Sequence, residues 1–168
     1  MKTLYMIRHA KSSWDDMSLS DHDRPLNGRG EKNAPEMGKR LKSRGIMPDH
    51  IISSSANRAF ETAKRIANEI GFDINRINIS KDLYHADEDD IIRFLQKQDD
   101  AYPSLMIFGH NPGFTDCVNL LTDQGFYNIP TCGVVAITFD IDQWREVKSG
   151  TGTLTLYDYP KKPWPSKS

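Results

Sequence analysis

Short apolar runs alternate with amphipathic segments along most of the chain. The apolar runs are bounded by turn-forming residues, which is typical of β-strands. Alternation of such strands with helices favours an α/β fold: a three-layer α/β/α sandwich around a mostly parallel central sheet, with an antiparallel edge strand where the turn-rich segment "KSGTG" joins the last two strands. The predicted strands are Thr3–Arg8, His50–Ser53, Leu105–Gly109, Val134–Phe139 and Thr153–Tyr157, with a weaker one at Ile77–Ser80.

Apolar side chains that recur every three or four residues predict the helices, because this spacing places them on one helix face. Met37 and Leu41 predict one helix, which Pro35 either opens or kinks, since a proline inside a helix lacks an amide donor and clashes with the preceding turn. The clearer stripes are Phe60, Ala63, Ala67 and Ile70; Ile91 and Leu95; and Phe114, Cys117, Val118 and Leu121.

The length of 168 residues fits one domain, predicted at residues 1–160, followed by a Pro- and Lys-rich tail at 161–168 in which Trp164 is a candidate contact. The 22 basic and 23 acidic side chains nearly balance, so we expect neither nucleic acid nor a membrane as a partner. No signal peptide and no apolar stretch of about 18 residues is evident, which predicts a cytoplasmic protein.

Cysteine and histidine spacing argues against several kinds of site. Cys117 and Cys132 form no CxxC pair, and neither stands six positions before an arginine, so we expect reduced core thiols rather than a cysteine-based phosphatase. The five histidines show no HExxH or His-x-His spacing. We expect no metal and no cofactor.

Four basic side chains follow predicted strands. Arg8 and His9 end the first strand, Arg58 comes shortly after "HIISS", and His110 ends the run "SLMIFG". Ligands of doubly wound sheets bind beyond the carboxyl ends of the strands, so we expect these side chains to meet in one crevice. Phosphate suits them because each guanidinium can bind two of its oxygens. Asn111 and the start of the following helix would add further donors.

His9 is the candidate nucleophile of this crevice. A neutral imidazole can attack phosphorus without a separate base, and flanking arginine charges are expected to lower its pKa. A backbone carbonyl bound to one ring nitrogen would fix the tautomer, and His110 would bind the phosphoryl oxygens. Water would then release inorganic phosphate from the phosphorylated His9.

The segments "IRHAKSSW", "RPLNGRG", "SSSANRAFETA" and "IFGHNPG" together resemble the motifs of the histidine phosphatase superfamily, which includes cofactor-dependent phosphoglycerate mutases. The resemblance implies a phosphoglycerate mutase-like fold, His9 as the phosphorylated nucleophile, Arg8 and Arg58 as phosphate clamps, and His110 as the fourth member of the pocket. Ala10 replaces the usual glycine, a change that the small SixA-type branch of phosphohistidine phosphatases often tolerates. The short chain is also similar to that branch, and an open site would suit a phosphorylated protein side chain.

Two residues are candidates for the proton donor to the leaving group. Many superfamily phosphoesterases carry a glutamate where "DLYHADEDD" has His85, and Asp21 in "SDHDRPL" is the competing donor. An alkoxide needs such a donor more than the imidazole of a phosphohistidine does. Lack of a strong acid therefore favours phosphohistidine in a protein substrate. The alternatives are a small-molecule phosphomonoesterase and a catalytically silent phosphate-binding module.

Overall fold

A computed structural model describes residues 1–164, in which six strands form one sheet of order β3-β2-β4-β1-β5-β6. Strands β1 to β4 run parallel to one another, whereas β5 runs antiparallel to both β1 and the edge strand β6. Residues 165–168 of the predicted tail lie outside the described residues. The strands are β1 Lys2–Arg8, β2 His50–Ser54, β3 Asn78–Ser80, β4 Ser104–Gly109, β5 Val134–Phe139 and β6 Gly152–Asp158.

Four helices cover the two faces of the sheet: α1 Gly28–Ser43, α2 Asn57–Ile70, α3 Glu88–Gln96 and α4 Gly113–Thr122. Helices α1 and α2 pack on one face over a core that includes Ile7 and Phe108. Helices α3 and α4 pack on the other face over Met6 and Ile107. Neighbouring strand residues thus point to opposite layers. The predicted three-layer α/β/α fold is confirmed.

Helix α1 begins well before Pro35, so the proline does not open it. The Asn27 side chain caps the helix by accepting a hydrogen bond from the Gly30 amide at 2.9 Å, and the helix continues through Pro35. Gly30 also lies against the backbone that follows β1, where an added Cβ would lie 2.2 Å from the Lys11 carbonyl oxygen. The first turn of α1 therefore packs closely beside the end of β1.

The carboxyl ends of β1, β4 and β2 lie side by side. Arg8 of β1 is in register with Gly109 of β4, and Phe108 pairs with Ser53 of β2. The His9 amide extends the first pairing by donating to the Gly109 carbonyl at 3.0 Å. Among residues 1–164 there is no helix whose length and apolar character would let it cross a bilayer.

Candidate active site

His9 and His110 are neighbours because they follow adjacent parallel strands in matching register. Their ring centroids lie 5.2 Å apart, with a 51° angle between the ring planes. Arg8 is the last residue of β1, and Arg58 comes from the first turn of α2, which begins three residues after β2. The structure thus brings the four sequence-predicted residues to one edge of the sheet.

His9 is held in one tautomer and is almost fully buried. Only 8% of the residue is exposed, and Nδ1 donates to the Ala10 carbonyl at 2.7 Å, which leaves the lone pair on Nε2. Burial lowers the pKa of His9 to about 3, aided by the charges of Arg58, Arg8 and Arg24 and opposed by the hydrogen bond to Ala10. The expected lowering of the His9 pKa is confirmed, although burial contributes more to it than the arginine charges do. The ring is unprotonated at neutral pH.

His110 presents the opposite nitrogen to a ligand. Its Nε2 lies 2.7 Å from the Ser54 hydroxyl, whose oxygen already accepts a hydrogen bond from the Ala56 amide. The hydroxyl is therefore free to donate to Nε2, which puts the His110 proton on Nδ1. Burial lowers the pKa of His110 to about 2, and the positive charge of Arg58 lowers it further, as would a proton on His9. His110 is thus a neutral donor, not a cation.

Three hydrogen-bond donors of the predicted phosphate-binding residues have no partner. Among residues 1–164, four buried side-chain nitrogen or oxygen atoms lack a hydrogen bond, and three of them are Arg8 Nε, Arg58 Nε and His110 Nδ1. An unsatisfied buried donor costs about 1–3 kcal/mol. Unpartnered donors on residues that share one sheet edge with His9 are expected where an oxyanion completes their hydrogen bonds.

Asp21 holds Arg58 in place. The carboxylate accepts from Arg58 Nη2 at 3.1 Å, from the Tyr84 hydroxyl at 2.7 Å and from Arg24 Nη2 at 3.2 Å. Burial raises the pKa of Asp21, but the hydrogen bond from Tyr84 and the interactions with Arg58 outweigh it and lower the pKa to about 2. The group carries no proton at neutral pH. The geometry therefore favours Asp21 as a positioning residue over the predicted role of proton donor.

His85 lies at the mouth of the site. It is exposed, its backbone has a φ of 57°, and its ring centroid is 3.9 Å from that of Tyr84. It borders a cavity of about 360 Å³. Its role as proton donor to a leaving group stays a prediction. The same cavity is lined by Asp21, Arg58, His110 and Asn111.

Asn111 is engaged within the protein. Its Nδ2 donates to Asn128 and to the Ile129 carbonyl, both at 2.9 Å, while its Oδ1 accepts from the Thr115 hydroxyl at 2.9 Å. The Ile129 carbonyl also accepts from Arg8 Nη1 at 2.9 Å. Asn111 thus holds the loop that orients Arg8, and its direct contact with phosphate stays a prediction.

The sequence interpretation did not assign Arg24, Ser54 or Tyr84 to the site. Arg24 stands inside the motif "RPLNGRG", and Ser54 is the last residue of β2, so both carried a signal. No local sequence pattern pointed to Tyr84, because its partner Asp21 is 63 residues away. These three side chains contact the predicted residues and fix their orientation.

Thr62 connects two parts of the site and was also missed. Its hydroxyl accepts from the Ala10 amide at 2.9 Å and donates to the Arg58 carbonyl at 2.8 Å. The start of α2 is thereby bound to the backbone beside His9. The threonine belongs to the motif "SSSANRAFETA", so its position could have indicated this role.

Several known proteins resemble this chain. An uncharacterized chloroplastic protein of Arabidopsis thaliana is 31% identical over 159 residues, covering 90% of this chain and 72% of the relative. The SixA structure of Agrobacterium tumefaciens is 24% identical, with a TM-score of 0.76 over 95% of this chain and 98% of that one. A structure named as the protein histidine phosphatase SixA complexed with tungstate is 20% identical, with a TM-score of 0.79 over 94% and 97%.

The family comparison agrees with the geometry. The sequence profile of the histidine phosphatase superfamily (branch 1) matches residues 4–87, which include Arg8, His9 and Arg58. His110 lies beyond the matched range, and the sheet brings it beside His9. Because the matched sequence covers half of the chain, we conclude that this chain belongs to the histidine phosphatase superfamily.

Proposed function

We propose that this protein is a phosphatase that removes the phosphoryl group from phosphohistidine in a protein substrate, through a phosphorylated His9. The observation that carries the proposal is the set of three buried, unpartnered donors, Arg8 Nε, Arg58 Nε and His110 Nδ1, on residues that lie at the same edge of the sheet as an unprotonated His9. An imidazole lone pair among donors for an oxyanion is the arrangement that phosphoryl transfer to histidine requires.

In the first step, His9 Nε2 attacks the phosphorus atom of the substrate. The new P–N bond forms as the P–N bond to the substrate imidazole breaks, and the electron pair of that bond goes to the leaving nitrogen. That nitrogen takes up a proton from solvent water, and the water that attacks in the second step returns a proton to the solvent. The two guanidinium groups and His110 stabilise the charge on the transferring oxygens. The Ala10 carbonyl, 2.7 Å from Nδ1, stabilises the positive charge that develops on the His9 ring.

In the second step, water attacks the phosphorus of phosphorylated His9. The bond to Nε2 breaks, its electron pair returns to the ring, and inorganic phosphate leaves. The sum of both steps is hydrolysis of phosphohistidine to histidine and phosphate. Asp21 contributes throughout by holding Arg58, whose Nη1 also donates to the Asp21 carbonyl at 2.7 Å.

The choice of phosphohistidine rests on the leaving group. Asp21 is ionised, with its pKa lowered to about 2, so the pocket contains no carboxylic acid at this position to protonate an alkoxide. An imidazole leaves more readily than an alkoxide, and so needs less help from an acid. The name of the SixA neighbour, a protein histidine phosphatase, and its tungstate, a tetrahedral oxyanion, support the same choice.

A second candidate is a phosphomonoesterase of small molecules, which His85 favours because it lies at the pocket mouth and can donate a proton. The two candidates separate in a panel that contains a phosphohistidine protein, para-nitrophenyl phosphate and sugar phosphates. We expect the highest kcat/KM on the phosphohistidine protein. A higher value on a phosphoester would favour the second candidate, and binding without release of phosphate would indicate a silent binding module.

A further inference from the structure

A second cavity, of about 320 Å³, lies at the same edge of the sheet as His9. Lys11 borders it and follows His9 by two residues, which limits the separation of their Cα atoms to about 7 Å. Thr131 also borders it and precedes Cys132, whose amide donates to the His9 carbonyl at 3.0 Å. We call this cavity the basic groove. Its charged lining residues are Lys11, Arg29 and Lys161, and its other walls include Thr131, Tyr159 and Pro160.

The three cations of the basic groove have no ion-pair partner among residues 1–164. Lys11, Arg29 and Lys161 are exposed, and over residues 1–164 none of them takes part in an ion pair. No carboxylate of the described part of the chain lines the groove. By contrast, Arg24 and Arg58 each bind Asp21. Three free cations from three separate segments thus surround one cavity, in a chain whose formal net charge is −1.

The opposite side of the site is acidic for a structural reason. Asp87 and Asp116 line the cavity beside His110, and both lie at helix starts. Asp87 caps α3 by accepting from the Asp90 amide at 2.8 Å, and carboxylates are favourable at this end of a helix. Helix stability accounts for these acidic residues, whereas no contact within the described chain accounts for the cations of the basic groove.

We propose that the basic groove binds the carboxylates of an acidic segment that flanks the phosphorylated side chain of a protein substrate. This inference rests on the proposed function. It adds that the substrate carries negatively charged side chains next to the phosphorylated one. Exposed lysines on long flexible stems suit a variable, solvated protein surface, because they attract carboxylates over a distance and adapt to their positions. A small phosphorylated metabolite would occupy only the proposed phosphate pocket, by which we mean the site formed by Arg8, His9, Arg58 and His110.

The test compares two peptides that carry the same phosphohistidine, flanked by aspartate and glutamate in one and by lysine in the other. The readout is the ratio of their kcat/KM values, which is internal to each enzyme preparation and therefore independent of the folded fraction. The wild-type protein should prefer the acidic peptide about tenfold at low salt. The preference should shrink at about 0.5 M salt, where exposed charges are screened.

The triple variant Lys11→Glu, Arg29→Glu, Lys161→Glu should lose the preference or reverse it. The matched control reverses three exposed cations at the other end of the sheet, Lys42, Arg145 and Lys148, and should keep the wild-type ratio. An unchanged ratio in the groove variant would overturn this inference while leaving the proposed function intact. Failure of the wild-type protein to hydrolyse either peptide would overturn the proposed function, and this inference with it.

Discussion

The phosphate pocket and the basic groove hold positive charge in two different ways. In the pocket, Arg58 is 6% exposed, and two of its nitrogens are bound to Asp21. In the groove, Lys11 is exposed and has no ion-pair partner among the described residues. A buried, fixed charge suits one group of constant shape, whereas an exposed, free charge suits a surface that varies. Changes in the pocket should therefore have far larger effects than changes in the groove.

The largest effect is expected from His9→Ala. Loss of the nucleophile should lower kcat on the order of 10⁶-fold, as it does for other covalent catalysts, measured as phosphate release. His50→Ala is the matched control, because His50 begins β2 at the far end of the sheet and stacks on Tyr102. The control should stay near the wild-type rate. Comparable losses in both variants would point to a folding defect instead.

Arg58→Lys should reduce kcat by roughly 10²–10³-fold, because an ammonium group cannot bind Asp21 and the phosphoryl oxygens together as the guanidinium does. Arg65→Lys is the control on the same helix. Arg65 pairs with Glu61 on the surface, so its variant should retain wild-type turnover. A loss of less than about threefold in Arg58→Lys would show that the fixed geometry of the pocket is unimportant.

His85→Ala separates proton donation from positioning. Phosphoester hydrolysis should fall by about 10²-fold, the size of a general-acid contribution, and phosphohistidine hydrolysis should fall much less. Asp21→Asn should lower both rates by the same factor, because it loosens Arg58 whatever the leaving group. Equal losses on both substrates in His85→Ala would contradict the proposed role of that residue.

The smallest effect concerns acid stability. The pKa of His9 falls from 6.5 to about 3 on burial, so below pH 6.5 the unfolded chain binds a proton that the folded protein excludes. Acid therefore destabilises the fold until the pH passes about 3. Between about pH 7.5 and pH 5, His9 should account for about 2 kcal/mol of the loss in the free energy of unfolding.

Urea denaturation at these two pH values measures that loss. His9→Ala should show a smaller difference between them than the wild-type protein, while His85→Ala, which removes an exposed imidazole, should show the wild-type difference. The same pH sensitivity in His9→Ala and wild type would mean that His9 is not buried in its neutral form.

The sequence predicts that the candidate catalytic residues meet in one pocket because each stands next to a locally recognisable element. His9 and His110 end apolar runs, and Arg58 begins an amphipathic helix, so local patterns together with the properties of parallel sheets bring them to one edge. Pro35 shows the limit of such patterns: the Asn27 cap, not the proline, determines where α1 begins. The strand order also required the structure, since the antiparallel β5 lies inside the sheet between β1 and β6.

Contacts between distant loops could not be predicted in the same way. The bridge from Tyr84 through Asp21 to Arg58 joins three segments, and its members have no shared periodicity or spacing. The basic groove likewise combines Lys11 with Lys161, from opposite ends of the chain. Side chains that meet only through loop packing leave no local pattern in the sequence. Such contacts give Asp21 its positioning role in the proposed mechanism.

The most direct test of the account is to locate the phosphoryl group on the enzyme during turnover. The protein is mixed with a phosphohistidine substrate, quenched in base because phosphohistidine is acid-labile, and mapped by mass spectrometry. The account predicts a phosphoryl group on His9 that appears and disappears at the rate of turnover and is absent from His9→Ala. A phosphoryl group on another residue, or turnover by the His9→Ala protein at the wild-type rate, would contradict it.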